Sequence, residues 1–442
     1  MKILHLPTSY LPWTVGGKEV YCHTLCQELT ALGVENIVAI HQNAAESPGR
    51  HRHGGVPVYV LPPLPGESRR RAAYTKIYDA LPGFEALLDE VRPDAVHFHD
   101  QSGGASLSHL RAVKARGIAA VATYHSPGQT CPQSSLLRWG RIPCDGEVRL
   151  GRCTSCRLNF SGVPRPLSDA AALAEWPGVN PWSESAVARV LTSRTMTRLF
   201  RASLQEFIER IDAIVVLAEW ARGVWRINGA PEEKLHLVRT GGQSAYAGPR
   251  GPHYPERTPL RVACLGRCTW IKGFHVLVEA IKRLPADAPL EVHFLGPYWD
   301  GEYGRGLLRR IDGDQRFRPP RIVPNADLLP VLAEMDVAVL PSLWLETGPL
   351  TMFDAFAAGV PVVGSRLGGI AEVVREGIDG LLFAPGDAEG LGNRLTELLG
   401  KPSLLAALRG NVRPARTMRQ SAEEMRALYA RARMEPSFSS DP

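Results

Sequence analysis

Short runs of apolar and β-branched residues alternate with amphipathic helical stretches along most of the chain, and this rhythm leaves few folds open. A run apolar on both faces must be covered on both faces. That is the pattern of a parallel sheet with helices on each side. In the first half the runs are KILHLP, NIVAIHQ, PVYVLP, DAVHFHD, AAVATYH and AIVVLAE. Between them, EVYCHTLCQELTALG carries apolar residues at helical spacing and ends on Gly33, a residue that caps helices. FEALLDEV stops before Pro93, which disfavours helix in the residue preceding it. From 241 to 259 the composition changes to GGQSAYAGPRGPHYPERTP, which has no period and reads as an interdomain linker. The rhythm then restarts with LRVACLGR, LEVHFLGP, DVAVLPS, PVVGS and GLLFAP, with helical stretches between them.

A chain of 442 residues is too long for one ordinary core. The expected fold is α/β, with two doubly wound Rossmann-like domains, about 1–250 and about 258–415. They are expected to face across a cleft lined by the carboxyl ends of both sheets. A last helix at about 420–434 is expected to cross back to the first domain, and the tail EPSFSSDP to be disordered. Residues 126–205 break the rhythm, contain four cysteines, and read as an insertion in the first domain.

Apolar residues make up 44% and charged residues 22% of the chain, the balance of a soluble globular protein. No stretch reaches the roughly 18 uninterrupted apolar residues of a membrane span. The opening MKILHLPTSYLPW reads as a strand and loop rather than a signal peptide, so the expected compartment is the cytoplasm, where thiols stay reduced. The net charge of +6 suits an anionic partner. Its lysines and arginines are scattered rather than striped with aromatics, which argues against nucleic acid. Arg69, Arg70, Arg71 and Lys76 lie near a weakly amphipathic stretch. They read either as a solvated loop or as a patch for peripheral contact with the inner face of a membrane.

The stretch ETGPLTMFD joins the strand DVAVLPS to the helix LTMFDAFAAG. Gly348 and Pro349 mark the junction, with proline where a first helical turn begins. Glu346 therefore lies on the loop at a strand's carboxyl end, and Asp354 about one turn into the helix. The unpaired N–H groups of Leu350 and Thr351 at that helix start form an anion site. Two carboxylates beside free amides suit a ligand with both hydroxyls and phosphate. LGRCTWIKGF places Arg267 and Lys272 after another strand, a planar fork and a point charge for a diphosphate.

These motifs, together with GGIAEVVREGIDGLLFAPGD, resemble the donor-binding half of retaining GT-B-fold glycosyltransferases, the glycosyltransferase family 4 group (glycosyl transferases group 1). The similarity is close over roughly 262–390 and looser in the first domain. The resemblance implies sugar transfer from a nucleotide-diphosphate sugar to a hydroxyl with retained anomeric configuration, and no metal is needed for that chemistry. It implies that Glu346 holds donor-sugar hydroxyls and that Arg267 and Lys272 clamp the diphosphate. Asp354 stands where the family usually has a ribose-binding glutamate. Pro349 stands where many members have glycine, which leaves the phosphate contacts to Leu350 and Thr351. Gly16 and Gly17, between the first strand and first helix, match a glycine pair near the donor phosphate and acceptor. His125, at the end of VATYH, matches a histidine beside the reacting sugar. It would orient the sugar, stabilise developing charge or move the acceptor proton. His97, His99 and Asp100 in VHFHD read as structural or acceptor-side groups, with metal ligation of the histidines also open. The resemblance implies an acceptor that is a glycan, a lipid-linked glycan or a small molecule, in bacterial polysaccharide or glycoconjugate biosynthesis. A nucleotide-sugar epimerase on the same fold and a non-catalytic scaffold with a metal-binding interaction module are the competing readings.

Cys131, Cys144, Cys153 and Cys156 form C-x12-C-x8-C-x2-C, four thiols within 26 residues. This spacing fits a closed tetrahedral structural zinc site; an iron–sulfur cluster and free or redox thiols are the alternatives. Starting six residues after His125, such a site would shape the acceptor pocket. Cys22, Cys26 and Cys264 read as small core residues, and Cys268 as a neighbour of the diphosphate site.

Overall fold

The computed structural model describes residues 1–43, 47–65, 69–101, 105–183, 185–242, 244–413 and 416–434, and the C-terminal EPSFSSDP segment lies outside them. The chain divides into two compact units, Met1–Arg239 with Arg419–Pro442, and Thr240–Met418.

The strands of the first unit are β1 (Lys2–Pro7), β2 (Glu35–His41), β3 (Gly49–His53), β4 (Val56–Leu61), β5 (Ala95–His99), β6 (Ala119–Tyr124), the two-residue β7 (Leu137–Arg138) and β8 (Ile142–Pro143), β9 (Ala213–Val216) and β10 (Leu235–Leu237). Eight of them form one sheet in the order β10-β9-β6-β5-β1-β2-β4-β3, parallel except for β3 at the edge. Alternate residues of β2 enter different cores: Ile37 and Ala39 pack in one, Val38 and Ile40 in another. That is the physical content of a doubly wound sheet, since period-two side chains fill both faces. Cys22 and Cys26 on the helix Gly17–Ala31 are part of the second of these cores.

The second unit holds β11 (Leu260–Leu265), β12 (Leu290–Leu295), β13 (Val337–Leu340), β14 (Val362–Ser365) and β15 (Gly380–Phe383), ordered β12-β11-β13-β14-β15 and wholly parallel. Val262 and Cys264 of β11 face one core, Ala263 and Leu265 the other.

Three sequence expectations change. The boundary near 250 moves to 239, because the Gly/Pro-rich stretch belongs to the second unit rather than bridging freely. Its Tyr246 N–H donates to Ala357 O at 2.9 Å, and its Tyr254 N–H to the buried Asp336 Oδ1 at 3.0 Å. The supposed insertion also ends early. The helix Ser193–Arg210 sends Met196, Phe200, Leu204 and Phe207 into the main core, a stripe at i+4 and i+3 spacing. The first sheet has two strands beyond the six apolar runs: β3, GRHRH, a mostly exposed antiparallel edge without an apolar signature, and the three-residue β10, LHL.

The helix Met418–Met434 carries Tyr429 into the first unit's interior, where its hydroxyl lies 2.7 Å from His97 Nδ1. No helix among the described residues is long and apolar enough to cross a membrane.

Candidate functional site

In each unit a group of the residues singled out from the sequence follows the carboxyl ends of strands, and each unit is described by itself. In the second unit β11 and β13 are neighbours, so the segments that leave them run side by side. After β11, Gly266 leads to the exposed Arg267 and then to a 3-10 turn, Trp270–Lys272. Gly273 follows with φ +71°, and a Cβ there would stand 1.8 Å from Pro341 O. Only glycine permits that approach, which lays the turn against the loop after β13. Leu343 N–H donates to Ile271 O at 2.8 Å and locks the two segments.

The result is an ion pair. Lys272 Nζ donates to Glu346 Oε1 at 2.6 Å, and Ser342 Oγ donates to the same oxygen at 2.8 Å. The Glu346 side chain is 7% exposed and that of Lys272 19%. Burial pushes the Glu346 carboxyl upward, but Lys272, Trp344 and Ser342 together outweigh burial and hold it below the ordinary glutamate range. The Glu346 loop is braced from behind by a glycine pair whose role the sequence reading did not assign. Gly369 N–H donates to Glu346 O at 2.7 Å, and a Cβ on Gly368 or Gly369 would stand 2.9 or 2.8 Å from Glu346 backbone atoms. The signal was present as the GG of GGIAEVV.

Gly348, at φ +151°, turns the chain into Pro349, the N-cap of the helix Leu350–Ala357. The helix thus begins one residue later than proline's favoured first position, and Leu350 and Thr351 supply its leading N–H groups. Asp354 is buried on that helix. Cys268 does not border this site; its side chain packs in the core with Cys264.

In the first unit the register pairs His5 with His97 and Pro7 with His99, and His99 with Thr123. The segments leaving β1, β5 and β6 therefore meet. Asp100, at φ +71°, accepts from the N–H groups of His125 and Ser126 at 2.9 and 3.0 Å and from Ser126 Oγ at 3.1 Å. This pins the backbone that carries His125. Behind it runs a file of rings: His125 Nε2 lies 3.1 Å from His99 Nδ1, His99 Nε2 3.1 Å from His5 Nδ1, and His5 Nε2 3.1 Å from Asn36 Oδ1. Asn36 Nδ2 donates to backbone carbonyls, so its oxygen must accept from His5. With neutral rings, each Nε2–H donates down the file, from His125 to His99 to His5 to Asn36. Burial, with Lys18 nearby, holds the His125 imidazole down to about 3. It is therefore an uncharged hydrogen-bonding group rather than a cation. His97, wedged between Thr123 Oγ1 and the Tyr429 hydroxyl, each at 2.7 Å, is structural.

Gly16 has extended backbone and caps the helix that Gly17 begins. A Cβ on Gly17 would meet nothing within 4 Å. Beside this turn lies a polar cavity of about 320 Å³ lined by Ser9, Lys18, Lys76, Asp100, Gln101 and Gln129, among others. The Gln101 amide nitrogen and both amide atoms of Gln129 are buried without a hydrogen-bond partner. Orphaned polar atoms on a cavity wall mark a surface that expects a polar ligand. Lys18, Gln101 and Gln129 were missed by motif reading, although Lys18 follows the Gly16–Gly17 pair, Gln101 follows Asp100 and Gln129 lies shortly after His125. Lys76 changes role: it lines this cavity, where burial lowers its ammonium to about 8. Arg71 is paired with Asp79 at 2.9 Å, while the side chains of Arg69 and Arg70 lie outside the described residues.

The four cysteines of the 131–156 segment line one small cavity of their own. Among the described residues, the His, Cys, Asp and Glu atoms that come within 4.8 Å of one another as a trio are those of His5, Cys22 and His99, all buried.

Comparison with known proteins places these features in a family. Residues 15–150 match the family model "Glycosyltransferase Family 4", and residues 259–401 match "Glycosyl transferases group 1". The chain is 28% identical over 215 residues to WcaL of Salmonella typhimurium (strain LT2), provisionally named a colanic acid biosynthesis glycosyltransferase. That match takes in 47% of this chain and 52% of WcaL, so the chain spans about half of that relative's length. Sucrose-phosphate synthase from Thermosynechococcus elongatus superposes with a TM-score of 0.63 at 18% identity, covering 97% of this chain and 98% of that one. Anabaena HepE, solved in complex with UDP-glucose, superposes with a TM-score of 0.62 at 15% identity, covering 98% and 100%. With a family 4 domain in its first unit and a group 1 domain in its second, the chain belongs to the GT-B-fold glycosyltransferases.

Proposed function

We propose that this protein transfers a sugar from a nucleoside-diphosphate sugar to an acceptor hydroxyl, with retention of anomeric configuration. The observation that carries the reading is the buried Lys272–Glu346 pair beside the open amides of the helix Leu350–Ala357. Glu346 is held ionised and ready to accept from sugar hydroxyls. Lys272, Arg267 and the Leu350 and Thr351 amides offer positive potential to a departing diphosphate. Asp354 is the group for the ribose hydroxyls. In the reaction the bond from the anomeric carbon to the phosphate oxygen breaks, and the acceptor oxygen bonds to the same face of that carbon. The acceptor proton passes to the departing phosphate. His125, held neutral by burial, offers the sugar hydrogen bonding rather than positive charge.

The acceptor belongs in the polar cavity of the first unit. Lys18 and Lys76 there outnumber the carboxylate of Asp100, which favours an acceptor that has hydroxyls and an anionic group. WcaL's name supports a bacterial polysaccharide or glycoconjugate setting, and the UDP-glucose complex of HepE supports a nucleotide-sugar donor.

The test is calorimetric binding of UDP, GDP, ADP and their sugars, followed by product analysis with the tightest donor and candidate acceptors. Selective binding that weakens in Lys272→Ala, with sugar appearing on the acceptor in its original anomeric form, supports the proposal. An altered nucleotide sugar without acceptor would mean an epimerase, and no binding would mean a scaffold.

A further inference from the structure

We propose that Cys131, Cys144, Cys153 and Cys156 hold one zinc ion as a tetrathiolate site that ties down the segment following His125. The proposal is independent of the transferase reading. Three separate pieces of chain bring the four sulfurs to one place. Cys131 follows the 3-10 turn Pro127–Gln129, and its N–H donates to Pro127 O at 2.8 Å. Cys144 closes the β7–β8 hairpin, with its N–H donating to Leu136 O at 2.8 Å. Cys153 and Cys156 lie three residues apart on the helix Leu150–Phe160, so they share a face.

All four line a cavity of about 20 Å³, together with Arg138 and Arg152. That is room for roughly one water-sized sphere, and hence for one ion. The surroundings suit a negative centre. Zinc with four thiolates carries a net charge of −2, and two guanidinium groups line the cavity. Arg138 Nε and Arg152 Nε are both buried without an acceptor, while the terminal nitrogens of Arg152 already hold Asp145 Oδ2 at 2.7 Å and Glu147 O at 2.6 Å. A plain apolar cysteine cluster gives no reason for two buried, unpartnered guanidinium nitrogens. Trp139 N–H donates to Cys156 Sγ at 3.2 Å, so this sulfur already serves as an acceptor. The other thiol contacts are long: Cys144 Sγ to Asp145 Oδ1 at 3.6 Å, Cys153 Sγ to Glu147 O at 3.7 Å, Cys156 Sγ to Leu137 O at 3.9 Å. None competes strongly with a metal.

Binding balances as four thiols and one Zn²⁺ giving one tetrathiolate and four protons released to solvent. No three of the sulfurs lie within 4.8 Å of one another here. With Zn–S bonds of about 2.3 Å, tetrahedral geometry sets the sulfurs roughly 3.8 Å apart, so binding draws them inward by side-chain rotation. The site would brace Gly128, Gln129 and Ser134, which line the polar cavity of the first unit. A closed site of this kind orders chain and leaves no position for chemistry.

The experiment uses the full chain purified without chelator or metal-affinity resin. Elemental analysis is expected to give about one zinc per chain, released in step with four thiols on mercurial titration. Replacing the metal with Co²⁺ is expected to give thiolate-to-cobalt charge-transfer absorption. Cys153→Ser and Cys156→Ser should lose the metal, while Cys268→Ala keeps it. Stripping the metal should open 131–160 to limited proteolysis. If the serine variants fail to fold, the titration of the unaltered chain still decides. Zinc-free protein that takes up no Zn²⁺, a disulfide between any two of the four, or iron in place of zinc would each overturn the proposal.

Discussion

Removing the Lys272 ammonium should destabilise the second unit by an amount that depends on pH. In the parent, buried Glu346 is held ionised chiefly by Lys272, 2.6 Å away, with Ser342 as a second donor to the same oxygen. Breaking a buried pair by deleting one partner costs about 3–5 kcal/mol, because the other charge is left uncompensated. Lys272 keeps some solvent access, so about 3 kcal/mol is the expected loss for Lys272→Met near neutral pH. For a unit of this size that is a fall of roughly 6–12 °C in its unfolding transition. The sign with pH differs between parent and variant. In the parent the folded carboxyl lies below its unfolded value, so the pair's contribution is present above the unfolded glutamate range and lost as pH falls through the folded value. In Lys272→Met burial, the largest influence, is opposed only by hydrogen bonds from Trp344 and Ser342, so the folded carboxyl should rise above the unfolded one. The folded variant then binds more protons and loses stability as pH rises from the glutamate range. The gap between variant and parent should therefore widen from pH 5 to pH 8. Lys272→Met with Glu346→Gln should recover most of the loss at pH 8. Scanning calorimetry at both pH values is the measurement. An equal gap at pH 5 and pH 8, or no recovery in the double variant, would refute the argument that the pair is electrostatically coupled and buried.

Burial holds His97, His99, His109 and His125 below their ordinary range, so the unfolded chain binds more protons than the folded one under mild acid. The first unit should lose on the order of 1.4 kcal/mol per such histidine per pH unit below about pH 6.5, a slope that urea titrations at stepped pH will read. Gly273→Ala forces a Cβ against Pro341 O at positive φ and should cost on the order of 3 kcal/mol, with nucleotide binding by calorimetry lost alongside it. His125→Ala should lower kcat by a factor that is constant from pH 5 to pH 9, because a group at about 3 does not titrate there. A factor that changes through pH 6–7 would mean that His125 works as a cation.

The architecture was legible because its signals are local. LRVACL and VVGS declare buried strands whatever their neighbours do, and the ends of those strands could be marked on the sequence. ETGPLTMFD also declared its strand-loop-helix junction, since Gly348, Pro349 and the periodicity of LTMFDAFA act within a few residues. What escaped were features without a local signature. GRHRH pairs as an edge strand through its backbone alone. The stripe of Ser193–Arg210 was readable as a helix, but nothing in it says that the helix belongs to the main core. The Gly/Pro-rich stretch after 240 looked unattached because its anchors, Ala357 and Asp336, lie about a hundred residues away.

The sequence by itself determined the periodicities, the turn positions and the residue types offered at each strand end. Only the tertiary structure decided which of those ends lie together. Lys272 and Glu346 are 74 residues apart and meet because β11 pairs with β13, an order in the sheet that no local pattern encodes. Likewise His5, His99 and His125 form one file because β1, β5 and β6 are neighbours in register. Strand order is set by burying the most apolar area over the whole unit. It is therefore a property of the packed chain, whereas a helical stripe or a proline at a turn is a property of a few residues.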